Sequence, residues 1–421
     1  MPDKPTASLA QGAAINLASR IATVLIGLVL LFLVARLGPQ VQGAFALFVA
    51  LESLLLALFS GLGLLLARQV SHHGARPGPL LMALLGAALS LGAAAAIPLL
   101  GLAAAVPGEP YRHLWLLAVA APFLLLVPTA SGLWLGQGRM LALNLPQVAA
   151  PLAVLVLLVA LAQAGTPGVL TVLVAWVAGK ALVGVGTALY AAYQSRWARA
   201  EPAVLHAEWR FVATIGLTNA VSLLNLRATL FLVERGFGLA EAGVYSVAVQ
   251  VAELLWLLSS AVTVSAYHRI GLPDAKQAAL ITLHAVRVNL LATLVAAPLL
   301  YLAAAVVLPR ALGPAYAAAL LPLALLLPGV AAYAAASSLS AYYTNQRGRP
   351  QWSAGVAAGS LALTLLIAAW SVPRWGAAGA ALATTLAYAC SIALALRWFL
   401  RDTGLGWSAL FAAPAPRQSK P

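Results

Sequence analysis

The chain has 421 residues, of which 63% are hydrophobic and 8% charged, and its formal net charge is +14. A soluble domain carries roughly a quarter charged residues, so this sequence cannot cover a water-facing surface of its size and the bilayer is its solvent. The basic residues sit between apolar runs, which points to membrane orientation rather than to a nucleic-acid partner.

Met1 to Ser8 is short and polar, and the apolar run that follows to about Val34 is too long for a signal-peptide core of roughly 7–15 residues. It is expected to remain as the first helix. A helix needs roughly 20 apolar residues to cross the hydrocarbon core. Runs of that size fall near 12–35, 43–66, 80–106, 113–135, 146–164, 169–193, 211–233, 242–266, 278–307, 317–343, 351–371 and 377–400. The expected fold is therefore an all-α integral membrane protein of about 12 transmembrane helices. Prolines at 98, 122, 128, 151, 298, 322 and 328 interrupt several runs and bend them or free backbone carbonyls. Trp115, Trp134, Trp352, Trp375 and Trp398 fall near run ends and read as interface anchors. The single cysteine, Cys390, excludes an internal disulfide and a cysteine metal site, and reads as a small core residue.

The second half repeats the first. Leu31-Phe32-Leu33-Val34, Arg36, Gly43-Ala44-Phe45 and Glu52 match Leu230-Phe231-Leu232-Val233, Arg235, Gly243-Val244-Tyr245 and Glu253. Gln137-Gly138-Arg139 matches the stretch Gln346-Arg347-Gly348-Arg349, and Pro167-Gly168 matches Trp375-Gly376. Six helices per half keep both halves in one orientation, so the repeats are parallel. The expected division is an N-terminal lobe over 1–193, a basic linker over 194–210 and a C-terminal lobe over 211–421. With both termini in the cytoplasm, fifteen Lys and Arg fall on the inner side and five on the outer side. The positive-inside rule selects that topology.

The segment Ala35-Arg36-Leu37-Gly38-Pro39 to Gly43-Ala44-Phe45, with Gly61-Leu62-Gly63 and Gln137-Gly138-Arg139, resembles the polysaccharide-biosynthesis membrane proteins. These are the O-antigen and exopolysaccharide flippases of the multidrug/oligosaccharidyl-lipid/polysaccharide (MOP) exporter superfamily. The resemblance implies a V-shaped, MATE-like pair of six-helix lobes in a bacterial inner membrane. It implies alternating access that moves an undecaprenyl-pyrophosphate-linked oligosaccharide to the outer leaflet. It also implies membrane lipid, a polysaccharide polymerase and glycosyltransferases as partners, and cavity-lining roles for helices one and seven.

Ionisable groups inside spans are costly and normally face a cavity or a partner. Arg20, Lys180 and Arg227 could grip an anionic headgroup, since arginine matches phosphate with parallel N–H bonds. Asn16, Asn219, Ser222 and Asn225 could line the same polar surface, or serve as interhelical hydrogen-bonding glue. Glu52 and Glu253 occupy matching places and read as ion-pair partners, Glu52 with Arg20 and Glu253 with Arg227, or as coupling groups. Arg287 reads as a residue that snorkels to the cytoplasmic surface.

Two other classes remain to be weighed. A cation-coupled multidrug antiporter of the MATE type shares the architecture, and Glu52 and Glu253 keep it open. A membrane glycosyltransferase or polymerase needs carboxylates at the membrane surface. The outer loops offer only Glu109, Glu234 and Glu241, which look scattered and unpaired. No metal-ligand spacing and no phosphate-binding Gly-Lys-Ser/Thr loop occurs. The expectation is a transporter that is not an enzyme, with no cofactor, no metal and no nucleic-acid partner.

Overall fold

The computed structural model describes residues 9–72, 77–165, 167–270, 274–349 and 351–410. Both chain ends, which enter the expected topology through Lys4, Arg417 and Lys420, lie outside these residues, as does Arg76. Among the described residues every regular element is helical. In order, α1 is Leu9–Ala35, α2 Pro39–Phe59, α3 Gly61–His72, α4 Pro77–Ala105, α5 Leu114–Leu124, α6 Leu126–Gly136, α7 Met140–Ala164 and α8 Val169–Gln194. Then follow α9 Ala203–Ala207, α10 Trp209–Glu253, α11 Leu255–Ile270, α12 Ala275–Val307, α13 Leu320–Tyr333, α14 Ala336–Ala341 and α15 Gln351–Thr403.

Ten helical stretches are long and apolar enough to cross a membrane, and the chain is a multi-pass membrane protein. Two of the ten hold two crossings each. A straight helix of 53 residues, the length of α15, would run about 80 Å, against a hydrocarbon core of about 30 Å. Instead α10 breaks at Gly238 and α15 at Gly376, where the backbone leaves helical geometry. The chain turns back at both glycines. Arg227 and Glu253 would stand about 39 Å apart along one straight helix, yet they form an ion pair at 2.6 Å. Ser371 Oγ likewise donates to the carbonyl of Gly379 across the second turn. Counted this way the expected twelve crossings are all present.

The repeat is legible in the backbone. Gly38 and Gly238 begin matching helices with φ of 109° and 83°, and Gly138 and Gly348 share φ of 67° and 62°. A side chain at Gly238, where ψ is −179°, meets a region open essentially to glycine alone. Gly238→Ala is therefore expected to lower stability by about 1–3 kcal/mol. Gly236→Ala, two residues away with open space around it, should be close to neutral. Thermal melts of the two variants in detergent check this.

Two compact units form, residues 1–223 and 224–421, dividing inside α10. The first fifteen residues of α10 pack within unit 1 although the expected second lobe begins at 211. Val212 is buried in the unit 1 core and Gly216 lies against the Leu58 carbonyl. Within unit 1, α3 packs on α6, α4 on α5, α7 on α8 and α1 on α7. Within unit 2, α13 packs on α15 and α11 on α12.

Three expectations need correcting. Trp134 is 1% exposed and donates from Nε1 to Gln194 Oε1 at 3.0 Å, so it is a core residue and not an interface anchor. Cys390 is exposed rather than buried. The outer acids are not unpaired: Glu109 pairs with Arg112, and Glu241 accepts from the Ala377 N–H at the start of the second half of α15. Lipid is as apolar as leucine, so hydrophobic side chains gain nothing by turning inward. Small and aromatic residues thus take either side.

Candidate functional site

Among the described residues each unit contains one membrane-level ion pair, and the two acids are the repeat-matched glutamates. In unit 1, Glu52 on α2 is fully buried, and both of its oxygens are used. Lys180 Nζ on α8 reaches Oε1 at 2.5 Å, and Trp176 Nε1 donates to Oε2 at 2.6 Å. Trp176 and Lys180 are four residues apart on one helix, hence on one face. The Lys180 ammonium also sits 4.5 Å from the Trp176 ring centre, a cation–π contact. Phe45 packs edge-on against the same ring at 5.0 Å, fixing its orientation.

In unit 2, Arg227 and Glu253 face each other in a fork-to-fork pair, Nη1 to Oε1 at 2.6 Å and Nη2 to Oε2 at 3.0 Å. Polar and aromatic groups surround it. Asn225 Nδ2 donates to the Tyr333 hydroxyl at 3.4 Å, and the Tyr388 hydroxyl donates to the Asn225 carbonyl at 3.2 Å. Tyr333 and Tyr388 stack with ring centres 4.3 Å apart, and Trp256 lies beside Tyr333.

The two pairs are built differently. The offset that relates Gly168 to Gly376 relates Lys180 to Tyr388. The base comes from the sixth crossing in unit 1. In unit 2 that place holds a tyrosine, and the base comes from the seventh crossing. The acid is common to both repeats; its partner is not.

The expected site residues are therefore distributed as follows. Lys180 and Arg227 are each neutralised by a glutamate of their own unit, with about a quarter of each side chain exposed, 24% and 27%. Glu253 has the expected partner, Arg227. Glu52 has Lys180 for its partner instead of Arg20. Arg20 is exposed on α1, with Asn16 exposed one turn away, and forms no ion pair among the described residues. Asn219 donates to Ser60 Oγ at 2.8 Å, and Ser222 donates to the Thr218 carbonyl of its own helix. Asn219, Ser222 and Asn225 thus all bond within the protein. Arg287 is half-buried on α12. Trp176 was not singled out from the sequence, although its spacing from Lys180 would have revealed it. Among the described residues no group of three His, Cys, Asp or Glu could hold a metal ion.

This chain matches no family model, and no curated protein matches it by sequence. Solved structures match along nearly its whole length. One is the inward-facing conformation of a multidrug resistance MATE family transporter of the MOP superfamily, with a TM-score of 0.76 at 17% identity, covering 96% of this chain and 100% of that one. The chain has the fold of MOP-superfamily transporters. The lipid II flippase MurJ in an inward closed conformation matches with a TM-score of 0.75 at 14% identity, covering 94% and 89%. A MOP-superfamily transporter from Pyrococcus furiosus, described as having a binding pocket of reversed polarity, matches at 0.68 and 16% identity, covering 95% of each chain.

Proposed function

We propose that this chain is a flippase that carries a lipid-linked oligosaccharide with an anionic pyrophosphate headgroup from the cytoplasmic to the outer leaflet of a bacterial inner membrane. The route is alternating access, and both termini lie in the cytoplasm. The observation that carries this reading is the charge balance inside the spans. Both membrane-level carboxylates already hold a base, so neither is open to a cationic cargo, while Arg20 stands exposed without an acidic partner among the described residues. An arginine in that setting favours an anion, whose phosphate oxygens accept two parallel N–H bonds. Lys180 and Arg227 would take part only by sharing or releasing their glutamates. The remaining steps of the pathway, glycosyl transfer on the inner face and polymerisation on the outer, fall to partner enzymes.

Replacing Arg20 tests the reading. Arg20→Ala and Arg20→Glu are expected to lower surface-polysaccharide output in the native host by about tenfold or more, while Arg20→Lys retains a large part. About tenfold corresponds to one lost charge-assisted contact of about 1.4 kcal/mol. Unchanged output from Arg20→Glu at normal protein level would overturn the assignment. A second reading, a cation-coupled multidrug antiporter, draws on the MATE structures among the matches and on the two glutamates. It predicts instead that Glu52→Gln abolishes efflux of a cationic dye from cells that express the chain.

A further inference from the structure

We propose that unit 1 carries a headgroup site for an anionic phospholipid of the surrounding bilayer, built where α8 ends and the linker begins. Its cations are Arg139, Arg196 and Arg199, all exposed. Arg139 Nη1 donates to Gln194 Oε1 at 2.7 Å, which brings the turn after α6 to the last residue of α8. Arg196, Trp197 and Arg199 follow within five residues. The rings of Tyr193 and Trp197 stand out among them, 72% and 56% exposed.

The first observation is a difference between the repeats. The offset that relates Gly168 to Gly376 relates Gln194 to Asp402. In unit 2 the turn holding Arg347 is tied to the same place on its helix, with Arg347 Nη2 3.1 Å from Asp402 Oδ2. That arginine meets a carboxylate. Arg139 meets a neutral amide, so it is positioned in the same way but keeps its charge for another anion. The acids of the linker are Glu201 and Glu208, and Glu208 is already paired with Arg68 at 3.4 Å.

The second observation is the cap that ends α8. The Arg196 N–H bonds the Tyr193 carbonyl at 3.1 Å, and the Trp197 N–H reaches back to the Ala192 carbonyl at 3.1 Å. The same offset gives the same cap in unit 2, where Gly404 N–H bonds the Arg401 carbonyl and Leu405 N–H the Leu400 carbonyl. Such a cap needs a left-handed residue, and glycine fills that place at least cost. Gly404 does so with φ 69°. Unit 1 places an arginine there at φ 60°, followed by Trp197 at φ 43°. Two successive side chains held in a strained backbone region point to a use for those side chains.

That use fits a lipid phosphate. Arginine matches phosphate oxygens with parallel N–H bonds, and a tryptophan ring settles at headgroup depth. Anionic leaflets attract basic residues beside a span. The linker is also fixed in place: the Glu201 N–H bonds the Pro79 carbonyl at 3.2 Å, and a Cβ on Gly78 would stand 2.8 Å from the Ser195 carbonyl oxygen.

This inference rests on the multi-pass fold and is read without any cargo. The full chain in detergent is melted with added phosphatidylglycerol, phosphatidylcholine or inorganic phosphate. Saturating phosphatidylglycerol is expected to raise the midpoint by about 2–4 °C over phosphatidylcholine, and phosphate to leave it unchanged. Arg139→Gln/Arg196→Gly should lose that difference. Arg196→Gly alone restores the residue that unit 2 uses, so it should melt no lower than the parent without lipid, which separates a lost site from a damaged fold. Arg374→Gln removes an exposed arginine that lies 4.8 Å from the Trp370 ring centre in unit 2, and should keep the response. Equal midpoints in the two lipids, a response that survives the double variant, or a shift reproduced by phosphate overturns the proposal. In phosphatidylcholine vesicles, the motionally restricted fraction of spin-labelled phosphatidylglycerol should fall in the double variant, and an unchanged fraction would likewise dispose of the site.

Discussion

Lys180→Ala is expected to lower the stability of the chain by about 3–5 kcal/mol, the cost of leaving one member of a buried ion pair without the other. The reason lies in Glu52, whose side chain has no exposed surface and whose Oε1 has Lys180 as its charge partner. Trp176 still donates to Oε2, but a neutral N–H does not offset a full charge in low dielectric. The double variant Glu52→Leu/Lys180→Leu removes both charges and should recover most of the loss, because a hydrophobic replacement of a buried pair is often neutral. A double-mutant cycle of thermal or denaturant unfolding in detergent measures the coupling directly. If Lys180→Ala unfolds within about 0.5 kcal/mol of the parent, the pair is not a stabilising element. The Arg227–Glu253 pair should respond less, since both side chains keep about a fifth or more of their surface exposed, 27% and 20%, and water can reach a stranded charge.

Much of the architecture can be read from the sequence because a bilayer imposes a length. Twelve runs of roughly 20 apolar residues or more correspond to the twelve crossings, including the pairs joined through Gly238 and Gly376. The repeat is legible for a similar reason. Gly38 and Gly238 hold a backbone geometry that excludes side chains, so the same residue stands at both places. The side-chain arrangement is harder to read. Glu52 meets Lys180 across 128 positions of chain, and nothing local marks that pair in preference to Arg20. Arg227 and Glu253 are brought together by one turn between adjacent crossings, and that pairing was visible as an option. Burial was legible least of all. Trp134 and Cys390 took the opposite sides from those expected, because membrane helices lack the polar outer face that identifies the inner one in water.

Gly132→Val is expected to abolish folding, and Gly132→Ala to cost about 3 kcal/mol or more. In unit 1, α3 and α6 approach so closely that backbone meets backbone without side chains between them. A Cβ placed on Gly132 would stand 2.0 Å from the Gly63 carbonyl oxygen and 2.9 Å from its Cα. The contact is reciprocal, since a Cβ on Gly63 would stand 2.1 Å from the Pro128 carbonyl oxygen. Neither neighbour is the far end of a flexible side chain, so relief requires the helices to separate. Helix association in lipid has no hydrophobic drive and depends on such close packing. Separation would also loosen Leu62, Leu66 and Leu133, which are buried in the same core. Gly86→Ala supplies the control. It lies on α4 with open space where a Cβ would go, so it should gain up to about 1 kcal/mol from helix propensity alone. Expression level and detergent melting of the three variants test the argument. A Gly132→Ala protein as stable as the parent would mean that α3 and α6 are not held at the separation seen here.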